Sequence, residues 1–155
     1  MKKIEIDTFL KFRFLSNPHF SPDGTKIAFT VSVPDRETNG YLSDLYLYDL
    51  GKKTVSRVTC AGDAKIWSWT AENTLIFPAA RTASLKKEKE NGTSFFYEIS
   101  PSGGEASCRA SVPASVTGIR LLPDGRYLLT IRHDNYKDTR KKSYEVFDEL
   151  PFWGN

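Results

Sequence analysis

An all-β fold is what this 155-residue sequence predicts, and three observations predict it. First, the turn Ser21-Pro22-Asp23-Gly24 returns at Leu122-Pro123-Asp124-Gly125, with a degraded copy at Thr70-Ala71-Glu72-Asn73. Second, the copies begin 49 and then 52 residues apart, room for four short strands each. Third, aromatic residues make up 13% of the chain, which favours strands over helices. Repeats of that length read as propeller blades, so the expected architecture is a partial β-propeller of two complete four-stranded antiparallel blades and most of a third.

The turn residues carry their own mechanism. Pro22 presets φ at the first corner, Asp23 tolerates the second and can bond its own backbone, and Gly24 supplies the positive φ that closes the hairpin. The chain divides on this pattern into an entry segment (1–16), blade one (17–60), blade two (64–113) and an incomplete blade three (116–155). In the entry segment Asp7 can cap one short helical turn. Phe9, Phe12, Phe14 and Leu15 are too apolar for solvent and are expected to pack on blade one.

Blade one is expected to use Asn17 to Ser21, Lys26 to Val33, Asp44 to Leu50 and Thr54 to Thr59, with a polar loop from Pro34 to Gly40. Ile27, Phe29, Val31 and Val33 share one face of the second strand. Ala28, Thr30 and Ser32 share the other, small enough for close sheet-on-sheet contact. The third strand alternates leucines with tyrosines, apolar on both faces as when blades pack side by side. The fourth is more polar, as an edge should be.

Blade two is expected over Ile66 to Trp69, Thr74 to Ala79, Thr93 to Ser100 and Glu105 to Val112, with Pro78 marking the end of its second strand. Between Arg81 and Gly92 the charge run Lys86-Lys87-Glu88-Lys89-Glu90 reads as a solvated loop with at most a helical turn. Blade three begins near Val116, turns at Pro123-Asp124-Gly125 and continues through Tyr127 to Arg132. A polar loop from His133 to Lys142 and a third strand from Ser143 to Leu150 follow. Its fourth strand is missing.

Such a stack presents an apolar blade face at each end. Exposing one large side chain such as Phe29 forfeits roughly 1.5–3 kcal/mol. The expectation is therefore a fragment of a longer protein that also associates with copies of itself through exposed blade edges.

Charge sets further bounds. The 22 basic and 19 acidic residues leave a net charge of +3, with lysines and glutamates interleaved, so no nucleic-acid stripe is expected. The two cysteines, Cys60 and Cys108, lie far apart in no metal spacing and read as free thiols. Met1-Lys2-Lys3 runs into Ile4-Glu5-Ile6-Asp7 with no apolar run, so neither a secretory signal nor a membrane span is expected, and the cytoplasm is the expected compartment.

The run from Asn17 to Phe29, then Asp44 to Leu50, then Arg57-Val58-Thr59, resembles the propeller of the prolyl oligopeptidase family, in its acylaminoacyl-peptidase and dipeptidyl-peptidase branch. The tail Tyr144 to Asn155 is similar to a segment of bacterial members of that branch. The resemblance covers the whole chain. It implies a usually seven-bladed propeller capping a C-terminal α/β-hydrolase domain, whose serine–aspartate–histidine triad cleaves short peptides that the propeller admits. None of the triad carries over. The chain has no Gly-x-Ser-x-Gly elbow and no His-Gly-Gly segment.

The remaining chemical candidates read as structural. His19 lies beside the first turn, and His133 opens a loop next to Asp134, a weak acid–base pairing. Ser102-Gly103-Gly104 lacks the strand-to-helix context of a phosphate cradle and reads as a hairpin turn. Asp44 and Asp49 read as strand-end or turn acceptors, and Arg140-Lys141-Lys142 as a solvated loop. Trp67, Trp69 and Trp153 read as blade core. No catalytic, cofactor-binding or metal-ligating residue is assigned, and no cofactor is expected. The functional expectation is a non-catalytic propeller portion of a serine peptidase, which meets peptide substrate only through a hydrolase domain outside this chain. The alternative is a stand-alone interaction module of the Tol type. A metal-dependent sugar lyase would need clustered histidines, and the chain has two in all.

Overall fold

A computed structural model of the chain describes residues 6–132. The loop from His133 to Lys142, the strand expected over Ser143 to Leu150 and the tail to Asn155 lie outside the described residues. Within them the chain forms antiparallel meanders. The first sheet runs β1 (Phe14–Phe20), β2 (Lys26–Asp35), β3 (Gly40–Asp49) and β4 (Thr54–Arg57) in that order. The second runs β5 (Ser68–Trp69), β6 (Leu75–Pro78), β7 (Ser94–Ile99) and β8 (Ser107–Val112). β9 (Ser115–Leu121) and β10 (Tyr127–Arg132) form a third, two-stranded sheet. β6 ends at Pro78, which has no N–H to extend the ladder.

The three turns share one construction. Gly24, Asn73 and Gly125 have φ of +69°, +61° and +82°, and their N–H groups donate to the carbonyls of Ser21, Thr70 and Leu122. Asparagine is the side chain that best tolerates this left-handed corner, which is why the degraded copy still turns. In the first turn Asp23 Oδ1 accepts from Ser21 Oγ (2.6 Å), Thr25 N (3.0 Å) and Thr25 Oγ1 (2.8 Å). These donors hold its carboxyl well below the usual carboxylate range, at about 2, with Ser21 the largest cause. A carboxylate whose pKa falls on folding adds stability above its unfolded value and loses it as pH drops through the folded one. Asp23 should therefore titrate near pH 2 by NMR, and its contribution to the urea midpoint should fade between about pH 4 and pH 2. A carboxyl titration near 4 would remove that contribution. The turns are also tied together, because Asp23 N donates to Asn73 Oδ1 at 3.0 Å.

The sheets pack face to face through alternate residues of the second. Leu75, Phe77, Phe95, Tyr97 and Ile99 join Ala28, Leu45 and Leu47 of the first sheet in one apolar cluster. Their neighbours Ile76 and Phe96 face the other way and pack with Val116, Ile119 and Leu129. The second sheet is thus buried on both faces, as its two-sided apolar pattern requires. In the first sheet Ala28 and Thr30 are buried while Ile27 and Phe29 are half-buried, and Phe29 stacks on Tyr46 at 6.0 Å. All four residues of β4 are exposed, in keeping with its polar sequence.

Three expectations need correction. Phe9, Phe12, Phe14 and Leu15 are exposed, Leu15 by 67%. The segment from Ile6 to Lys11 is a 3-10 helix, and Phe14 opens β1 with its ring edge-on to Tyr41 at 5.9 Å. The helix does lie beside β2 as expected, yet one short helix and an edge strand leave these side chains largely uncovered. Next, Pro34 lies inside β2, opposite Tyr41, not in a loop. β1 reaches only as far as Ser32, so at Pro34 β2 has a partner on one side and a missing donor is tolerated. Last, the charge run forms a helix, α1 (Ala83–Glu90), longer than a turn. Thr82 caps it, its hydroxyl accepting from Leu85 N at 3.3 Å, and Leu85 packs on the core.

Candidate functional site

β1, β5 and β9 open their respective sheets, and they stand side by side. Between them lies a groove of about 400 Å³ lined by His19 and Phe20, Trp67 to Trp69, and Ile119 to Leu121. Local backbone irregularity aims the first of these. Asn17 has φ of +55°, and the register of β1 on β2 shifts between Ser16 and His19. His19 then meets Asn17 Oδ1 at 3.0 Å and sets its ring edge-on to Trp67, 5.7 Å away.

The floor is tied on every side. Trp67 Nε1 donates to Thr30 Oγ1 at 2.9 Å, and Trp69 Nε1 donates to the His19 carbonyl at 3.2 Å. Both indoles are almost fully buried. Ser68 Oγ accepts from Leu121 N at 3.1 Å, which joins the second sheet to the third. Both indole N–H groups are spent within the protein, so the floor offers the groove carbon and little else. Among the described residues Arg120 is the one charged residue lining it.

A second polar centre holds the crossover from β4 to β5. Asp44 accepts from Arg57 Nη2 at 2.6 Å, Thr59 Oγ1 at 3.0 Å and Gly62 N at 3.1 Å. Thr59 Oγ1 in turn accepts from Leu45 N, and Arg57 Nε donates to the Thr59 carbonyl. The Asp44 carboxylate pushes the Arg57 guanidinium up from its ordinary value. Gly62, at φ +75°, lies against Leu42, where an added Cβ would approach to 2.9 Å. Asp44 lies mid-strand in β3, not at a strand end, and its role is to fix this crossover. Asp49 is a turn acceptor as expected, receiving Gly51 N and Lys52 N.

The other candidates do not converge on a reaction centre. Ser102-Gly103-Gly104 is a turn, with both glycines at positive φ and Gly103 N bonded to the Ser100 carbonyl. Cys60 and Cys108 are exposed free thiols. His133, Asp134, Arg140-Lys141-Lys142 and Trp153 lie outside the described residues. Among the described residues no group of three metal-ligating side chains assembles, and no helix is long and apolar enough to cross a membrane. Sequence reasoning missed the place of Arg120 on the groove and the bridging hydroxyl of Ser68. Their only signal was strand alternation within an otherwise apolar run.

Comparison with known proteins follows the fold. No family model matches the chain. It is 26% identical over 156 residues to the uncharacterized peptidase YuxL of Bacillus subtilis strain 168, a match over 94% of this chain. The chain spans 22% of that relative's length. Acylaminoacyl peptidase from Pyrococcus horikoshii superposes with a TM-score of 0.64 at 17% identity, over 95% of this chain and 21% of that one. The β-propeller domain of the trilobed protease from Pyrococcus furiosus superposes with a TM-score of 0.55 at 16% identity, over 79% of this chain and 35% of that one. These likenesses bear out the fold and the peptidase resemblance read from the sequence: the chain is a partial β-propeller similar to the propeller portion of peptidases.

Proposed function

We propose that this chain is the non-catalytic propeller portion of a cytoplasmic serine peptidase that hydrolyses short peptides of the acylaminoacyl or dipeptidyl type. It restricts which peptides reach a C-terminal α/β-hydrolase domain, where the serine, aspartate and histidine do the chemistry. The observation that carries this reading is the stack of four-stranded meanders that superposes, over nearly its whole length, on one-fifth of an acylaminoacyl peptidase. A stack of packed sheets with its first strands side by side suits a filter, since it offers a walled groove and rigid edges.

The 155-residue chain should hydrolyse neither acylated nor unblocked peptides, whereas the complete gene product should cleave short ones and slow steeply as peptide length grows. Turnover by the 155-residue chain that a point substitution within it abolishes would overturn the reading. So would a complete gene product with no peptidase activity.

A further inference from the structure

We propose that the groove between β1, β5 and β9 holds the C-terminal carboxylate of a short apolar peptide, with Arg120 as the anion's partner. The choice of peptide rests on the function proposed above; the choice of carboxylate rests on the groove itself. Arg120 is exposed and, among the described residues, its side chain makes no ion pair or hydrogen bond. The two aspartates of the adjoining turns are committed elsewhere, Asp23 to Ser21 and Thr25, and Asp124 to Arg126. Among the described residues no acidic one lines the groove. A guanidinium presents a planar fork that matches a carboxylate with two parallel hydrogen bonds.

The rest of the groove suits what would precede that carboxylate. Phe20 is 64% exposed at the rim, and the indole edges below it have no free donor. The Phe20 and indole side of the groove therefore suits apolar side chains. Among the described residues β1, β5 and β9 each pair with one strand only, so each leaves part of its backbone edge open, the His19 carbonyl and Leu121 N being taken by Trp69 and Ser68. Open edges of this kind accept extended peptide backbone. The volume of about 400 Å³ lies at the small end of ligand sites, which admits two or three residues.

The test uses the 155-residue chain and the tripeptide alanyl-alanyl-phenylalanine, as free acid and as C-terminal amide, followed through tryptophan emission. The free acid should bind about tenfold more tightly than the amide. Arg120→Gln should erase that ratio, and Arg120→Lys should keep part of it. Unchanged urea midpoints show that both variants remain folded. Equal binding of acid and amide, no emission change with either, or a ratio that survives Arg120→Gln would overturn the proposal. Carboxylate-dependent binding beside a complete gene product that cleaves no peptide would defeat the parent reading and leave this site standing. Peptide cleavage without such binding would do the reverse.

Discussion

Trp67→Ala should cost about 3–5 kcal/mol of folding stability, the largest effect of any single change considered for this chain. Trp67 is 2% exposed and fills the seam between the first two sheets. Its removal leaves a void that rigid strands close poorly, and it strips Thr30 Oγ1 of its donor. Trp67→Phe separates the two contributions. It keeps most of the ring and loses the N–H, so about 1–2 kcal/mol is expected. Urea unfolding followed by circular dichroism measures both. A loss below about 1 kcal/mol for Trp67→Ala would mean that the seam is not the stabilising contact described here.

Asp44→Ala should cost about 2–3 kcal/mol, for a different reason. The Arg57 side chain is half-exposed, and its ion pair with Asp44 is screened by water, so that pair contributes little. The larger loss comes from the Thr59 hydroxyl, which is buried, and from Gly62 N, both left without their acceptor. Arg57→Ala should consequently cost about 1 kcal/mol or less. Asp44→Asn, which keeps an acceptor oxygen, should fall between them. Equal losses for Asp44→Ala and Arg57→Ala would assign the stability to the ion pair.

Much of this architecture was legible in the residues, because its punctuation is local. A positive φ at Gly24, Asn73 and Gly125 needs particular residue types, and those types are visible in a string of letters. Leu45 and Leu47 of β3 likewise announce a covered face, whereas its tyrosines, expected to be covered too, are at most half-buried. Contacts set by distant segments were not legible. Asp44 meets partners 13 to 18 residues further on, brought to it by a crossover that no local pattern marks. The helix over Ala83–Glu90 was underestimated because its charge run gives no apolar stripe, and the informative residue was the cap, Thr82. The entry aromatics misled for the opposite reason. Apolar character predicts burial only where a surface exists to receive it, and a short helix and an edge strand offer these residues little. The groove lies furthest from sequence, since it exists only where three strands from separate repeats come together.

The two-sided packing of the second sheet separates what neighbouring residues control. Phe95 contributes to the cluster shared with the first sheet, whereas Phe96, the next residue, contributes to the one shared with the third. Each joint can be loosened or tightened by substitutions that leave its counterpart alone. Selection thus has two dials in one strand for adjusting how successive sheets are set against one another.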